Sequence, residues 1–518
     1  MAAVAPQPVE RKLRVGVFAD ARWQPRWVAE AFDRLARSDF AEIVVLVTGA
    51  ASARAPLLWD LYRRLDGWAF GADGSEPVDL AAALGACAGD AAAELDVAFA
   101  VGAVDEAPLL EAARYGVWRF CFGNERAHAE SLAGWRELTQ GAPLMGAGIT
   151  VRLAGGGPPR LAYQSWSRTY PLSLARNRVH LFGKSAELPW RALRELHRGG
   201  AAWLEQCRPV REGTLEAPTN AEVLRAAAGI GARLARRGLQ KALGVEQWSL
   251  AWRFGETGLP SPALEGYART VPPADRDWAD PFVVEKHGRY FVFFEELPYA
   301  EGKGHIAMME VRRDGTASAP VRVLERPYHL SYPFLVEEAG ELYLIPETAT
   351  NGTVEAYRCV DFPLSWRLER VLMDGVRLVD ATLHRAPERW WLFANAAVSR
   401  STLYDDELHL YYADSFLGPW RAHPANPVKS DPRGARPAGQ LFRRGGALHR
   451  PAQICVPRYG AGIAVQRVLR LTPGEYVERQ AERLLPAGGL LGLHTVNRAG
   501  ALTVVDVFAR RSRFGGAG

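Results

Sequence analysis

The sequence predicts a multidomain chain, an α/β unit followed by an all-β five-bladed β-propeller. Three observations carry this reading. A β-hairpin phrase occurs five times from residue 278 onward, and its period of about 50–60 residues is that of propeller blades. The first 200 residues alternate strand and helix patterns instead. A four-stranded repeat cannot bury both faces alone, so such repeats stack radially.

The phrase is clearest in Trp278-Ala-Asp-Pro-Phe-Val-Val-Glu-Lys-His-Gly-Arg-Tyr-Phe-Val-Phe-Phe-Glu-Glu296. Two runs rich in Val, Phe and Tyr flank His287-Gly288, where glycine supplies the positive φ of a tight turn. Further copies begin near Tyr332, Asp380 and Arg436, and a weaker one near His494. The stretches between them repeat too: Tyr357–Trp366 matches Tyr412–Trp420 with one gap. The expected segments are residues 1–12 disordered, an α/β domain over 13–200, a helical linker over 201–245, the propeller over 246–510 and a disordered tail over 511–518.

In the α/β domain, strands are expected at Leu13–Phe18, Ile43–Val47, Val97–Val101, Gly116–Phe122 and Pro143–Arg152. Helices are expected at Trp27–Arg37, Leu80–Leu95 and Ala107–Tyr115. This alternation implies a Rossmann-type parallel sheet with crossover helices. No glycine-rich phosphate loop follows the first strand, where Ala19-Asp-Ala-Arg-Trp23 stands, which argues against dinucleotide binding. Asn220–Leu243 reads as a helix capped by Thr219 or Asn220. Its Arg/Lys face suits peripheral contact with an anionic membrane, or alternatively a solvated face between domains. Trp248–Phe254 reads as a strand that completes the last blade and closes the ring.

Composition restricts the function classes. A net charge of +5 with scattered arginine gives no nucleic-acid footprint. Five cysteines without CxxC or metal spacing imply a reduced, cytoplasmic compartment and no metal or other cofactor. The start of the chain lacks a signal-peptide pattern, and no apolar run approaches the roughly 20 residues of a membrane span.

Blade-initial residues of a propeller converge on the axis, so Asp280, Tyr332, Asp380, Arg436 and His494 are candidates for one ring. Two carboxylates across a pocket, about 6.5–9.5 Å apart, are what an inverting glycosidase needs, and Asp280 with Asp380 could supply them. Arg436, His494 and His329 add cationic character suited to an anionic sugar. The alternative is a buried structural ring. Glu295, Glu296 and Glu347 end the inner hairpins, with Glu347 either at a ligand or in an exposed turn. Trp390 and Trp391 read as packing residues, His384 and His449 as surface residues.

Two resemblances extend this reading. The order of pieces over residues 13–200, with Asp96-Val-Ala-Phe-Ala and Ala113-Arg-Tyr-Gly-Val-Trp118, resembles the formyltransferase catalytic domain. That family requires an Asn and a His after the Gly116–Arg119 strand and an Asp further on. Here Phe120-Cys-Phe-Gly-Asn124 and Leu153–Pro159 stand at those places. The implication is a formyltransferase-like fold that has lost formyl transfer to an amino sugar, unless Asn124 and His128 act as a displaced pair. Over 246–510, Asp280-Pro and Gly418-Pro-Trp420 resemble the five-bladed glycoside hydrolase superfamily of arabinanases and xylosidases. That resemblance implies a base at Asp280, but Tyr332 and Asp380 stand where that superfamily has Asp and Glu. His329-Leu-Ser-Tyr-Pro333, Pro346-Glu347, Val379-Asp-Ala381, Arg436-Pro-Ala-Gly439, Arg450-Pro-Ala-Gln453 and His494-Thr495 resemble the N-terminal propeller of plant glucosamine inositol phosphorylceramide transferases. The glycosyltransferase domain that follows in the plant enzymes is expected to be absent here.

The expected function is therefore a carbohydrate-active or glycan-recognising propeller in polysaccharide or glycolipid assembly. Asp280, Asp380 and Glu347 are the catalytic candidates. His329, Tyr332, Glu296, Arg436, Arg450 and His494 are the candidates for holding a sugar, glycan or glycolipid. The alternative is an inverting glycoside hydrolase or glycosyl transferase.

Overall fold

The computed structural model describes residues 9–47, 56–71, 74–84, 94–123, 132–211, 213, 217–256, 258–397 and 402–512. The chain divides into two compact units that part between Ala235 and Arg236.

The first unit is built on a six-stranded sheet. Leu13–Ala19 pairs in parallel with Ala41–Val47 on one side and Val97–Val101 on the other, and Val117–Phe122 continues the parallel set. Leu144–Arg152 and Arg160–Arg168 then pair antiparallel, so the sheet is mixed where the sequence implied a parallel one. The local cause of the second antiparallel pairing, Leu144–Arg152 with Arg160–Arg168, is the connection after Arg152. Gly155, Gly156 and Gly157 all take positive φ, which turns the chain straight back as a hairpin with no crossover helix. Helix Arg26–Ala36 buries Val28, Ala31, Phe32 and Leu35, the apolar stripe read from the sequence. The Ala-rich helix is described over Leu80–Leu84, residues 85–93 lie outside the described residues, and Leu95 forms a bridge to Ala113. Helix Asn220–Leu243 begins with a capping box: the Glu222 N–H donates to Thr219 Oγ1 while the Thr219 N–H donates to Glu222 Oε2.

The second unit is a five-bladed propeller. Blade I runs through Arg276–Lys286, Arg289–Pro298, His305–Val311 and Val321–Leu324. Blade II comprises Ser331–Glu338, Glu341–Thr348, Thr353–Asp361 and Ser365–Asp374. Blade III contains Leu378–Arg385, Trp390–Ala396, Glu407–Ala413 and Arg421–Ala422. Blade IV contains Phe442–Arg444, Ala447–Ile454, Gly462–Leu471 and Tyr476–Leu484. Blade V joins the two ends of the domain. Gly244–Phe254 pairs with Leu502–Ser512 along its whole length, from Phe254↔Leu502 to Gly244↔Ser512. The ring thus closes by main-chain hydrogen bonds, as the reading of Trp248–Phe254 required.

Apolar side chains seal neighbouring blades. Phe282, Phe293, Phe334, Leu344, Leu383 and Leu392 share one core across blades I to III. Trp391, Phe393, Leu408 and Leu448 join blades III and IV. Each such side chain leaving water contributes about 1.5–3 kcal/mol. Trp390 and Trp391 are both buried in these seams. His449 is buried and stacked on Phe442, and His384 is half-buried; neither is the surface residue its hairpin position suggested.

Candidate functional site

Three blades open with the same local device. The first two strands of blades I, II and III slip register between Ala279 and Phe282, Ser331 and Phe334, and Val379 and Thr382. The residue entering each bulge, Asp280, Tyr332 or Asp380, has φ of 52°, 42° or 54°. Left-handed backbone at a non-glycine residue is strained by about 1–3 kcal/mol and persists only where its surroundings impose it. The residue facing the bulge on the second strand is Glu295, Glu347 or Asn395, paired with Ala279, Ser331 and Val379 respectively. Each stands fifteen positions after its bulge residue. The repeat therefore delivers two side chains per blade toward the axis.

Asp380 is buried and held on several sides. Arg436 donates to it through Nε at 2.6 Å and a terminal nitrogen at 3.2 Å, and Gln453 Nε2 donates at 3.0 Å. Arg436 also lies 4.0 Å from Glu347, 3.7 Å from Asp405 and over the Tyr459 ring at 4.8 Å. Tyr332 places its hydroxyl 2.8 Å from Thr382 Oγ1 and accepts from the Gly439 N–H at 2.8 Å.

Asp280 has a different environment. Thr495 Oγ1 donates to it at 2.8 Å, and His494 Nε2 lies 3.6 Å away. Behind them, Asp506 accepts from the backbone N–H groups of Asp280, His494 and Thr495 and pairs with His494 Nδ1. The His494 ring stacks on Trp248 at 4.0 Å with Tyr459 edge-on at 5.2 Å. Burial disfavours the imidazolium, but Asp506 and Asp280 outweigh it and raise the His494 pKa. Among the described residues, Asp280, His494 and Asp506 each bring one donor atom within 4.8 Å of the others and could hold a metal by proximity. Both Asp506 oxygens are already engaged by N–H donors, so the arrangement works as a hydrogen-bonded ion-pair relay that fixes Asp280.

The carboxyl groups titrate apart. Burial, with Asp380 and Asp506 opposed by His494, pushes Asp280 up to about 6. Burial, followed by the charge of Asp380, pushes Glu347 up to about 8 despite Arg436. Glu295 rises well above the carboxylate range, through burial and then Asp280 and Glu347. Asp280 near 6 and Glu347 near 8 thus differ in protonation at neutral pH, an ionised carboxylate beside a protonated carboxyl. Accessibility is graded too. The Asp380 and Asp280 side chains are 1% and 5% exposed, Glu347, Glu295 and Arg436 11–13%, and His329 29%. His329 Nδ1 accepts from the Gly304 N–H at 2.9 Å while Nε2 lies 3.5 Å from Glu295.

The structure thus brings together Asp280, Glu347, Asp380, Arg436 and His494, with Tyr332 and His329 alongside. It does not bring in Glu296 or Arg450. Strand alternation turns Glu296 to the opposite face from Glu295, where it pairs with Arg276 at 2.6 Å and accepts from Trp278 Nε1 at 3.0 Å. Arg450 is fully buried within blade IV on Glu478 and the Gly434 and Ala435 carbonyls. Asp506, Thr495, Gln453 and Tyr459 carry parts of the site that the sequence did not single out. The fifteen-residue offset would have selected Glu295 over Glu296. Asn124 and His128 lie outside the described residues.

The architecture and this axial cluster define a five-bladed propeller with an acidic, arginine-clamped centre. Residues 270–486 match the family described as "Glucosamine inositolphosphorylceramide transferase 1, N-terminal". Glucosamine inositolphosphorylceramide transferase 1 of Oryza sativa subsp. japonica is 36% identical over 203 residues, 39% of this chain and 27% of that protein. The Arabidopsis thaliana protein of the same name is 32% identical over 228 residues, 43% of this chain and 28% of that protein. The matched stretch thus spans little more than a quarter of these relatives. A family 117 glycoside hydrolase of Zobellia galactanivorans superposes with a TM-score of 0.35 at 13% identity, covering 51% of this chain and 90% of that one. The catalytic domain of a Coprinopsis cinerea family 62 α-L-arabinofuranosidase gives 0.34 at 14%, covering 52% and 99%. At those scores neither bears on chemistry.

Proposed function

We propose that the propeller takes a sugar, as a free glycan or the headgroup of a glycolipid, at the axial cluster and acts in glycolipid or polysaccharide assembly. The observation that carries this is the convergence of Asp280, Glu295, Glu347 and Asp380 beside Arg436. Ionised and protonated carboxyls side by side accept from and donate to sugar hydroxyls, and Arg436 suits a phosphate or carboxylate on the ligand. The relatives' name, with its glucosamine and phosphorylated inositol lipid, fits that ligand class. In this reading the propeller extends over 246–510, the chain is cytoplasmic, and helix Asn220–Leu243 offers its basic face to a membrane.

The test is titration of the purified chain with nucleotide sugars, inositol phosphates and oligosaccharides. Asp280→Asn keeps the shape and removes the charge, and one charge-assisted hydrogen bond is worth about 1.5–3 kcal/mol, so affinity should fall about tenfold to a hundredfold. Unchanged affinity for a ligand so found, together with a large drop in melting temperature, would sink the proposal and leave Asp280 as a structural residue.

A second reading, hydrolysis or transfer, is favoured by the separation of Asp280 near 6 from Glu347 near 8. Asp280 would be the base and Glu347 the acid; Asp380, clamped by Arg436 and Gln453, would position Arg436 and take no proton. Turnover would then be confined to a window opening near pH 6 and closing near pH 8.

The first unit is proposed as a formyltransferase-like domain without formyl transfer. Purified protein is expected to show no turnover of 10-formyltetrahydrofolate with any amino-sugar nucleotide, followed as release of tetrahydrofolate; measurable turnover refutes this.

A further inference from the structure

Blade V carries two arginines that no acid balances. Its strand Gly244–Phe254 is flanked by Leu502–Ser512 on one side and by the short edge strand Ala268–Thr270 on the other. Arg511 stands opposite Val245, and Arg269 opposite Ala251. Residues opposite one another across strands share a face, as do residues two apart along one strand. Arg511, Gln247, Ser249 and Arg269 therefore lie on one face of the sheet. Gln247 and Ser249 are buried, and both arginines are exposed.

The two buried side chains hold the two guanidinium groups. Arg269 donates to Ser249 Oγ through Nε at 3.0 Å and Nη2 at 2.9 Å. Arg511 Nη1 donates to Gln247 Oε1 at 2.9 Å and to the Pro272 carbonyl at 3.3 Å. The Gln247 amide nitrogen is committed to the Pro273 and Arg276 carbonyls, both at 2.6 Å, which fixes its oxygen toward Arg511. Every acceptor in this set is neutral. Arg510, on the opposite face, pairs instead with Glu246. Burial of its guanidinium end and then the Arg511 charge lower the Arg269 pKa, and no carboxylate offsets them. Among the described residues, Arg269 Nη1 and the Nε and Nη2 of Arg511 have no protein acceptor.

Two like charges held side by side repel, and an anion between them reverses the sign. Two residues along a strand span about 6.6 Å, so guanidiniums anchored on Gln247 and Ser249 straddle a gap suited to one tetrahedral oxyanion. We propose that Arg269 and Arg511 form a binding site for a phosphate monoester, whose two negative charges match the two guanidiniums. The same dianion occurs on soluble phosphate esters and on phosphatidate headgroups. The site uses none of the axial residues, so it stands or falls independently of the proposed sugar site.

The full chain is titrated calorimetrically with glycerol phosphate at constant ionic strength. Binding is expected at pH 7, and Arg269→Gln or Arg511→Gln should weaken it about tenfold to a hundredfold. A phosphate monoester loses its second charge below about pH 6, so its affinity should fall at pH 5, while sulfate, which keeps both charges, should bind alike at both. Without ligand, Arg269→Gln should melt no lower than the wild type, because it removes one of two like charges and Ser249 keeps the Val507 carbonyl. Flotation with phosphatidylcholine vesicles containing phosphatidate, lost in Arg269→Gln, assigns the site to a lipid headgroup. Binding of glycerol phosphate without flotation assigns it to a soluble ester. Absence of both overturns the proposal. So does glycerol phosphate binding that both variants retain, which would move the phosphate to another site such as Arg436. A lower melting temperature in both variants with unchanged affinity would make the two arginines a structural brace and overturn it as well.

Discussion

Arg450→Met is expected to destabilise the propeller by about 3–5 kcal/mol, the usual cost of leaving one member of a buried ion pair uncompensated. Arg450 is fully buried. It donates to both Glu478 oxygens, at 2.9 and 2.8 Å, and to the carbonyls of Gly434 at 2.6 Å and Ala435 at 3.1 Å. Methionine fills much of the same volume but satisfies none of these acceptors. Lys429 remains on Glu478 at 2.8 Å, so the carboxylate keeps part of its compensation, while the two carbonyls lose their arginine. The pH dependence is a second signature. Burial works against the Glu478 charge, but Arg450 and Lys429 outweigh it and hold the group down at about 2. A carboxyl lowered on folding contributes stability above its ordinary value of 4.5 that is lost as pH falls toward the folded one. Wild-type stability should therefore fall on acidification toward pH 2, and Arg450→Met should show a shallower fall. Urea melts across that range check both. Full stability combined with lost ligand binding would restore Arg450 to the sugar site.

Arg450 shows where the sequence stops being legible. The repeat phrase exposed the blade count, the hairpins and the closing strand, because period-two patterning, turn glycines and a fixed spacing are all local. It also located Asp280, Tyr332 and Asp380, since the residue before the slip recurs in the same phrase. Local order does not say which of two neighbouring acids faces the axis. Glu295 and Glu296 differ only by the phase of the strand, and the bulge at Ala279/Phe282 sets that phase. Nor does it distinguish an arginine reaching a ligand from one braced inside a blade, because the partners, Glu478 for Arg450 and Asp380 for Arg436, lie 28 and 56 residues away in the chain. In the α/β unit the strands up to Leu144–Arg152 were readable, but the last strand, Arg160–Arg168, and the antiparallel end of the sheet were not. The hairpin into that last strand is made by three consecutive positive-φ glycines, which in the sequence resemble any flexible loop.

Glu347→Gln is expected to separate stability from function more sharply than any other change in the axial cluster. Glu347 keeps its proton up to about pH 8 in the folded chain, against an ordinary value of 4.5, because it is buried beside Asp380. For a carboxyl raised on folding the sign is the reverse of Glu478. The folded state holds a proton that the unfolded chain releases, so stability falls as pH rises from about 4.5 through about 8. Asp280, displaced from 3.8 to about 6, adds a second fall over its own narrower range. Glutamine keeps the size of Glu347 and its capacity to donate toward Asp380, and has no proton to lose. The variant should match the wild type near pH 4 and exceed it at pH 8, by a margin on the order of 2–4 kcal/mol. If Glu347 is the acid of a hydrolase or transferase, the stabilised variant should be inactive with sugar binding retained. If the cluster only recognises a sugar, the variant should bind with a pH profile that has lost its change near 8. Thermal melts at pH 4 and pH 8, run beside ligand titrations, read all of these at once. A variant less stable than the wild type at pH 8 would mean that Glu347 is ionised in the folded protein and paired with Arg436, and both functional readings of its proton would fall with that result.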